Sequence, residues 1–157
     1  KLNKYNIVAH GSNLPSGKGF SPITWEILKN KFFFYISFFQ ANTKIDDGNI
    51  FLKEKFSIKK TDLLEDWRKI VGKIIIKNAF QLSQNIGTFK AKSQVGKSTF
   101  YRRRRPEDSE LNINKSIRNQ FNLLRTVDNK NYPAYFLHEG QKYIITIKKI
   151  NEKIKKN

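Results

Sequence analysis

The 157-residue chain contains neither cysteine nor methionine. Without cysteine there is no disulfide framework, no thiolate metal site and no cysteine nucleophile. Its two histidines cannot furnish a histidine-rich metal centre by themselves. Acidic side chains are scarce too, 13 against 31 Lys and Arg, leaving a formal charge of +18. Long apolar runs are also missing. The longest, Phe32 to Phe39, is interrupted by Ser37 and falls far short of the roughly 20 residues a membrane span requires. No basic-then-apolar leader opens the chain, so a cytoplasmic setting without membrane association is expected. A chain that starts Lys1-Leu2-Asn3-Lys4 and runs almost at once into a strand-like segment is expected to be a piece of a longer polypeptide. Processing of a short leader is the plainer alternative.

What is present can build a core, with 38% hydrophobic and 13% aromatic residues in a length suited to one domain or one domain plus a small appendage. The positive charge fits nucleic acid, an anionic ligand or a membrane surface. Its lysines are scattered, however, as a Lys-, Asn-, Ile- and Phe-rich background composition would leave them. Arg102-Arg103-Arg104-Arg105 is the one true cluster.

Tyr5 to Ala9 reads as a buried strand that stops at His10-Gly11-Ser12. The Gly- and Pro-rich stretch up to Pro22 must be a loop, and Pro22 suits the first turn of a helix over Ile23 to Leu28. Phe33 to Phe39 is a strand by its aromatic content, Asp46-Asp47-Gly48 a turn, and Asn49 to Ile58 a second strand. Thr61 and Asp62, with Glu65, predict the cap of a long helix whose buried face carries Leu63, Leu64, Trp67, Ile70, Val71, Ile74 and Ile75. It should end between Leu82 and Gly87. Residues 88–110 look irregular and basic. A helix is expected over Ser116 to Val127, then a hairpin of Ala134 to Leu137 and Lys142 to Ile150, then a polar tail over Lys153 to Asn157.

Gly96-Lys97-Ser98-Thr99 imitates a phosphate-binding loop, but Ala91 stands where the first glycine belongs and no apolar strand precedes it. A flexible basic loop is the better reading. His10 lies at a strand's carboxyl end, where open α/β sheets collect ligands, although a histidine satisfied by backbone would look the same. Asp46 reads first as turn chemistry. A carboxylate beside a histidine, however, makes an acid/base pair.

His10-Gly11-Ser12-Asn13-Leu14-Pro15, followed by Gly19, Pro22 and Trp25, resembles the signature of the formyltransferases that use 10-formyltetrahydrofolate. Ile45 to Ile50 is similar to that family's Asp-x-Gly-x-Ile motif. Arg103 to Glu110, Phe121 to Arg125 and Tyr132-Pro133-Ala134 resemble the segment after its catalytic domain, and the Arg-Arg-Pro form is closer to the nucleotide-amino-sugar branch. The resemblance implies an α/β fold: the C-terminal part of a Rossmann-like formyltransferase domain over residues 1–90, then a helix-plus-β-hairpin, OB-like appendage over 91–157. The family's opening β-α-β units have no counterpart in the chain.

The same resemblance makes His10 and Asp46 the catalytic residues. It assigns Ser12, Asn13, Leu14 and Pro15 to 10-formyltetrahydrofolate, the co-substrate, with no metal. Lys18, Arg102, Arg103, Arg104 and Arg105 are candidates for an anionic acceptor, since phosphates favour guanidinium forks; for the arginines a solvated loop is an equal alternative. The implied acceptor is a nucleotide-linked amino sugar, with initiator methionyl-tRNA as the alternative and a non-catalytic RNA-binding fragment as a third reading. A homodimer is left open. One position departs from the family: its catalytic asparagine, two residues before the histidine, is Val8 here. Asn6 stands about 7 Å farther along the strand, so either another group supplies the second oxyanion contact or catalysis is reduced.

Overall fold

Residues 3–150 are described by the computed structural model. Its elements are β1 (Ile7–His10), β2 (Lys18–Gly19), α1 (Pro22–Leu28), β3 (Phe33–Gln40), β4 (Ile50–Ser57) and α2 (Leu64–Asn85), then β5 (Phe100–Tyr101), α3 (Ile117–Leu124), β6 (Ala134–His138) and β7 (Gln141–Ile145). The polar tail expected over Lys153 to Asn157 lies outside the described residues.

β3 is central to the main sheet, with β1 on one side and β4 on the other. Its composition suits that place. Phe34, Ile36 and Phe38 turn one way into the core with Ile23, Ile27, Leu64, Trp67 and Leu82. Ser37 and Phe39 are buried on the opposite face, so aromatic and β-branched residues fill both surfaces of the strand. The sheet departs from the Rossmann-like expectation in one respect: both its pairings, β1 with β3 and β3 with β4, are antiparallel. Among the described strands only the two-residue pair of β2 with β5 is parallel.

α1 begins at Pro22, whose fixed φ suits a first helical turn, and stops at Asn30, which takes the left-handed conformation (φ 58°). α2 differs from its expected cap. Asp62 is buried and accepts from Lys59 N at 2.8 Å, while Asp66 reaches back to Leu63 N at 3.1 Å. Capping is therefore shifted one residue, because Asp62 is consumed by the preceding turn. α3 is shorter than the expected Ser116 to Val127 helix: Ser116 is its cap, Asn119 N donating to Ser116 Oγ at 3.3 Å, and it ends at Leu124.

Around α3, Leu111, Leu124, Val127 and Ala134 form a second, smaller core. The hairpin turns on Glu139 and Gly140, both at positive φ, as a tight two-residue connection demands. Its second strand ends at Ile145 rather than Ile150, and among the described residues the hairpin stays two-stranded, without a barrel. Buried Arg125 fastens this unit to the first: its Nε donates to Asp62 O at 2.9 Å, and its own carbonyl accepts from Trp67 Nε1 at 3.2 Å. No helix among the described residues is long and apolar enough to cross a membrane.

Candidate active site

β1 delivers His10 at its carboxyl end and the chain turns at once, Ser12 N donating to His10 O at 2.9 Å. The loop then folds back over the sheet. Ser37 Oγ, buried in β3, donates to Ser12 O at 2.6 Å. Lys53 of β4 holds Asn13 Oδ1 at 2.9 Å and also donates to Leu14 O. Burial pushes the Lys53 ammonium below its ordinary pKa. This anchoring returns Gly17 to the histidine, and His10 Nε2 lies 2.9 Å from Gly17 O. A carbonyl only accepts, so Nε2 is the protonated nitrogen of that contact.

Asp46 comes from the turn between β3 and β4. Its backbone is left-handed (φ 50°), a conformation Asp tolerates better than most residues at a cost of roughly 1–2 kcal/mol. Gly48 permits the turn, since a Cβ there would lie 1.6 Å from Gln40 O. The Asp46 carboxylate accepts from Gly19 N at 2.8 Å. The same oxygen, Oδ2, stands 3.6 Å from His10 Nδ1. That separation exceeds a hydrogen bond but keeps the groups in electrostatic contact, and catalytic pairs often tighten only when substrate binds. Both side chains are largely enclosed, 10% and 14% exposed, which strengthens their interaction. Two residues met in no contiguous motif are thus brought face to face.

The residues expected to meet the co-substrate and the acceptor differ in exposure. Ser12, Leu14 and Pro15 are buried, and only Asn13 of the four assigned to the co-substrate is exposed. Loop closure engages the carbonyls of Ser12 and Leu14 and the Asn13 side chain through Ser37 and Lys53, whereas the Ser12 hydroxyl has no hydrogen-bond partner among the described residues. Lys18 is paired with Asp47, and this ammonium holds the Asp47 carboxyl below the usual range. Its charge therefore tethers β2 to the turn.

The arginine run also divides. Arg102 lies over the Trp25 ring, 4.9 Å from its centroid, and forks onto the Asp108 carboxylate, holding that group below the usual range. Arg104 turns inward, donating to Asp108 O at 2.8 Å, and burial pushes its pKa down. Arg103 and Arg105 are exposed. Arg103 to Arg105, together with Arg68, Ser21 and Tyr132, line a cleft of about 290 Å³ between the two units. Asp128, 3.7 Å from Arg68, also lines it. Ser21 follows Gly19 by two residues, so the cleft begins at most about 7 Å of backbone from the amide that holds Asp46.

Residues missed by sequence reading lie in the segment expected to be a flexible basic loop. Lys92 pairs with Ile50, with N–H···O distances of 2.9 and 2.7 Å. Gln94 Nε2 donates to Asp46 O at 2.8 Å and to Gly48 O at 3.0 Å. Gly17 N donates to Thr99 Oγ1 at 2.8 Å. The segment is tied down by backbone and amide contacts that no periodicity announces. Gly96 to Thr99 leads into β5 and not into a helix, so the context for a phosphate-binding loop is absent. Val8, at the position of the family's asparagine, is 39% exposed and alternation puts it on the same side of β1 as His10. It offers no donor.

No protein-family model matches the chain. It is 30% identical over 161 residues to the methionyl-tRNA formyltransferase of Fusobacterium nucleatum, a match covering 99% of this chain and 51% of that protein. The solved methionyl-tRNA formyltransferase from Clostridium thermocellum superposes with a TM-score of 0.75 at 26% identity, covering 89% of this chain and 61% of the other. A 4-N formyltransferase from Francisella tularensis shares the fold at 18% identity, TM-score 0.76, covering 93% and 64%. The chain spans between 22% and 51% of the length of the first curated relatives it matches.

Proposed function

We propose that this chain, which belongs to the folate-dependent formyltransferase family, carries the acid/base pair that moves a formyl group from 10-formyltetrahydrofolate to a primary amine. The observation that carries this reading is the His10–Asp46 pair, held between Gly17 O and Gly19 N. Bound 10-formyltetrahydrofolate supplies an activated formyl carbon, and tetrahydrofolate leaves when the amine has displaced its N10. In that exchange one C–N bond forms, one breaks, and a proton passes from the amine to the departing nitrogen. Asp46 is the base that draws the proton from the amine, and His10 stabilises the charge that gathers on the formyl oxygen. Because Nε2–H is donated to Gly17 O, Nδ1 can meet that charge only as the second N–H of an imidazolium, whose positive charge the Asp46 carboxylate 3.6 Å away balances.

The acceptor we favour is an amino sugar linked to a nucleotide. Four arginines against one aspartate in the cleft beside β2 fit a phosphate or pyrophosphate group. The Arg-Arg-Pro form of the adjoining segment supports the same branch. Initiator methionyl-tRNA is the second reading, favoured by the similarity to the methionyl-tRNA formyltransferases of Fusobacterium nucleatum and Clostridium thermocellum and by the net charge of +18. We place the boundary between the two units after Arg105, since residues 92–101 contact the loop and turn of the first.

The test is turnover by the full-length protein supplied with 10-formyltetrahydrofolate and a panel of nucleotide-linked amino sugars, each followed by release of tetrahydrofolate. Release with one of the sugars supports the reading. Turnover with charged initiator tRNA alone would transfer the assignment to the tRNA branch. Salt-sensitive tRNA binding with no turnover on any acceptor would leave a non-catalytic RNA-binding protein.

A further inference from the structure

We infer that Gln94 is a positioning residue for Asp46, clamping the turn that aims its carboxylate at His10. The inference rests on the catalytic reading of Asp46 given above. Gln94 sits on the strand-like stretch that Lys92 pins to Ile50 by two backbone hydrogen bonds, 2.7 and 2.9 Å long. Its amide nitrogen donates to the carbonyls of Asp46, at 2.8 Å, and Gly48, at 3.0 Å. Both amide hydrogens are thereby used. The orientation is fixed by chemistry, because a flipped amide would set its oxygen against two carbonyls. Its Oε1 is buried and makes no hydrogen bond among the described residues, so the side chain is held for its donors alone.

Those two carbonyls flank the residue that matters. Asp46 is the left-handed residue of the turn, and a non-glycine residue there relaxes unless its surroundings over-determine it. Gly48, pressed against Gln40 O, and Lys18, bound to Asp47, restrain the far side of the turn. Gln94 restrains the carbonyl of Asp46 itself. Without its amide, two carbonyls lose their partner and the turn can relax toward ordinary backbone angles. Oδ2 would then leave the bridge it makes between Gly19 N and His10. A misplacement of about 1 Å at a reacting group can cost on the order of a hundredfold in rate.

The test compares Gln94→Ala, Gln94→Glu and Asp46→Asn, and the first combined with the last, in the full-length protein. Single-turnover assays over long incubations keep large losses measurable, and kcat, KM and melting temperature are read for each. Gln94→Ala should lower kcat by about ten- to a hundredfold, with KM within about twofold and the folded fraction unchanged. Gln94→Glu keeps the shape but puts oxygens where the donors were, and should fall as far. On top of Asp46→Asn, the Gln94→Ala change should cost less than about twofold. The inference is overturned if Gln94→Glu restores turnover, if the single losses multiply, or if the fall in kcat only follows a fall in folded protein. It is overturned equally if Gln94→Ala turns over normally while Asp46→Asn does not. Normal turnover by Asp46→Asn would instead remove the catalytic reading on which the inference stands.

Discussion

The His10–Asp46 pair and the Arg102–Arg105 run behave in opposite ways on folding. His10 and Asp46 come from different segments and are brought to 3.6 Å by a loop folding over the sheet and a turn held open by Gly48. The four arginines begin as neighbours and take different partners. Arg102, its side chain 56% exposed, forks onto the Asp108 carboxylate and Arg104 turns in onto the Asp108 carbonyl, while Arg103 and Arg105 are exposed along the cleft that Arg104 also lines. Adjacency in sequence is therefore a poor guide to a shared task when neighbouring guanidiniums are claimed by different partners. What gathers groups into a site is the tertiary closure around them.

The largest expected effect tests the first half of that contrast. His10→Ala should abolish measurable formyl transfer, with circular dichroism and melting temperature near those of the parent; near-normal turnover would refute its role. The next tests the division of the arginines. Arg103→Ala and Arg105→Ala should each raise KM for the anionic acceptor by about tenfold, the loss of one guanidinium–phosphate contact, with kcat and melting temperature held. Arg104→Ala should instead lower the melting temperature by several degrees, because it uncouples Asp108 O and Thr126 O. Equal behaviour of Arg103 and Arg104 in these assays would erase the distinction.

Val8→Asn sharpens the comparison from the other side, since it adds a donor beside His10 where this chain has an apolar group. Turnover should rise by up to about tenfold, and no change would mean that another group already meets the developing charge. The smallest effect is acid sensitivity. Asp108 has its pKa depressed by Arg102, so its contribution is complete above the ordinary carboxylate value near ~4 and is lost as pH falls through the depressed folded value. Melting temperature should decline below about pH 4, and Asp108→Asn should flatten part of that decline.

Much of the secondary structure was legible because it follows hydrophobic period and local chemistry. Phe33 to Phe39, the Trp67 face of α2 and the body of α3 all declare themselves in that way. The antiparallel pairing of β1 with β3 did not, since strand direction is a property of connection and not of composition. In the site, His10 and Asp46 stood out through a resemblance whose motifs run in order along the chain. The inward turn of Ser12, Leu14 and Pro15, the pairing of Lys18 and the clamp by Gln94 were invisible. Each depends on a partner distant in sequence: Ser37, Thr99, Lys53, Asp47 or the Asp46 carbonyl.

The central claim, that two residues remote in sequence work as one catalytic unit, is tested most directly by single-turnover formyl transfer. The full-length protein would be compared with its His10→Ala, Asp46→Asn and doubly substituted forms. The account predicts that the double variant is no slower than the worse single one, because removing either partner already disables the pair. Losses that multiply, or a single variant that transfers formyl at the parental rate, would contradict it.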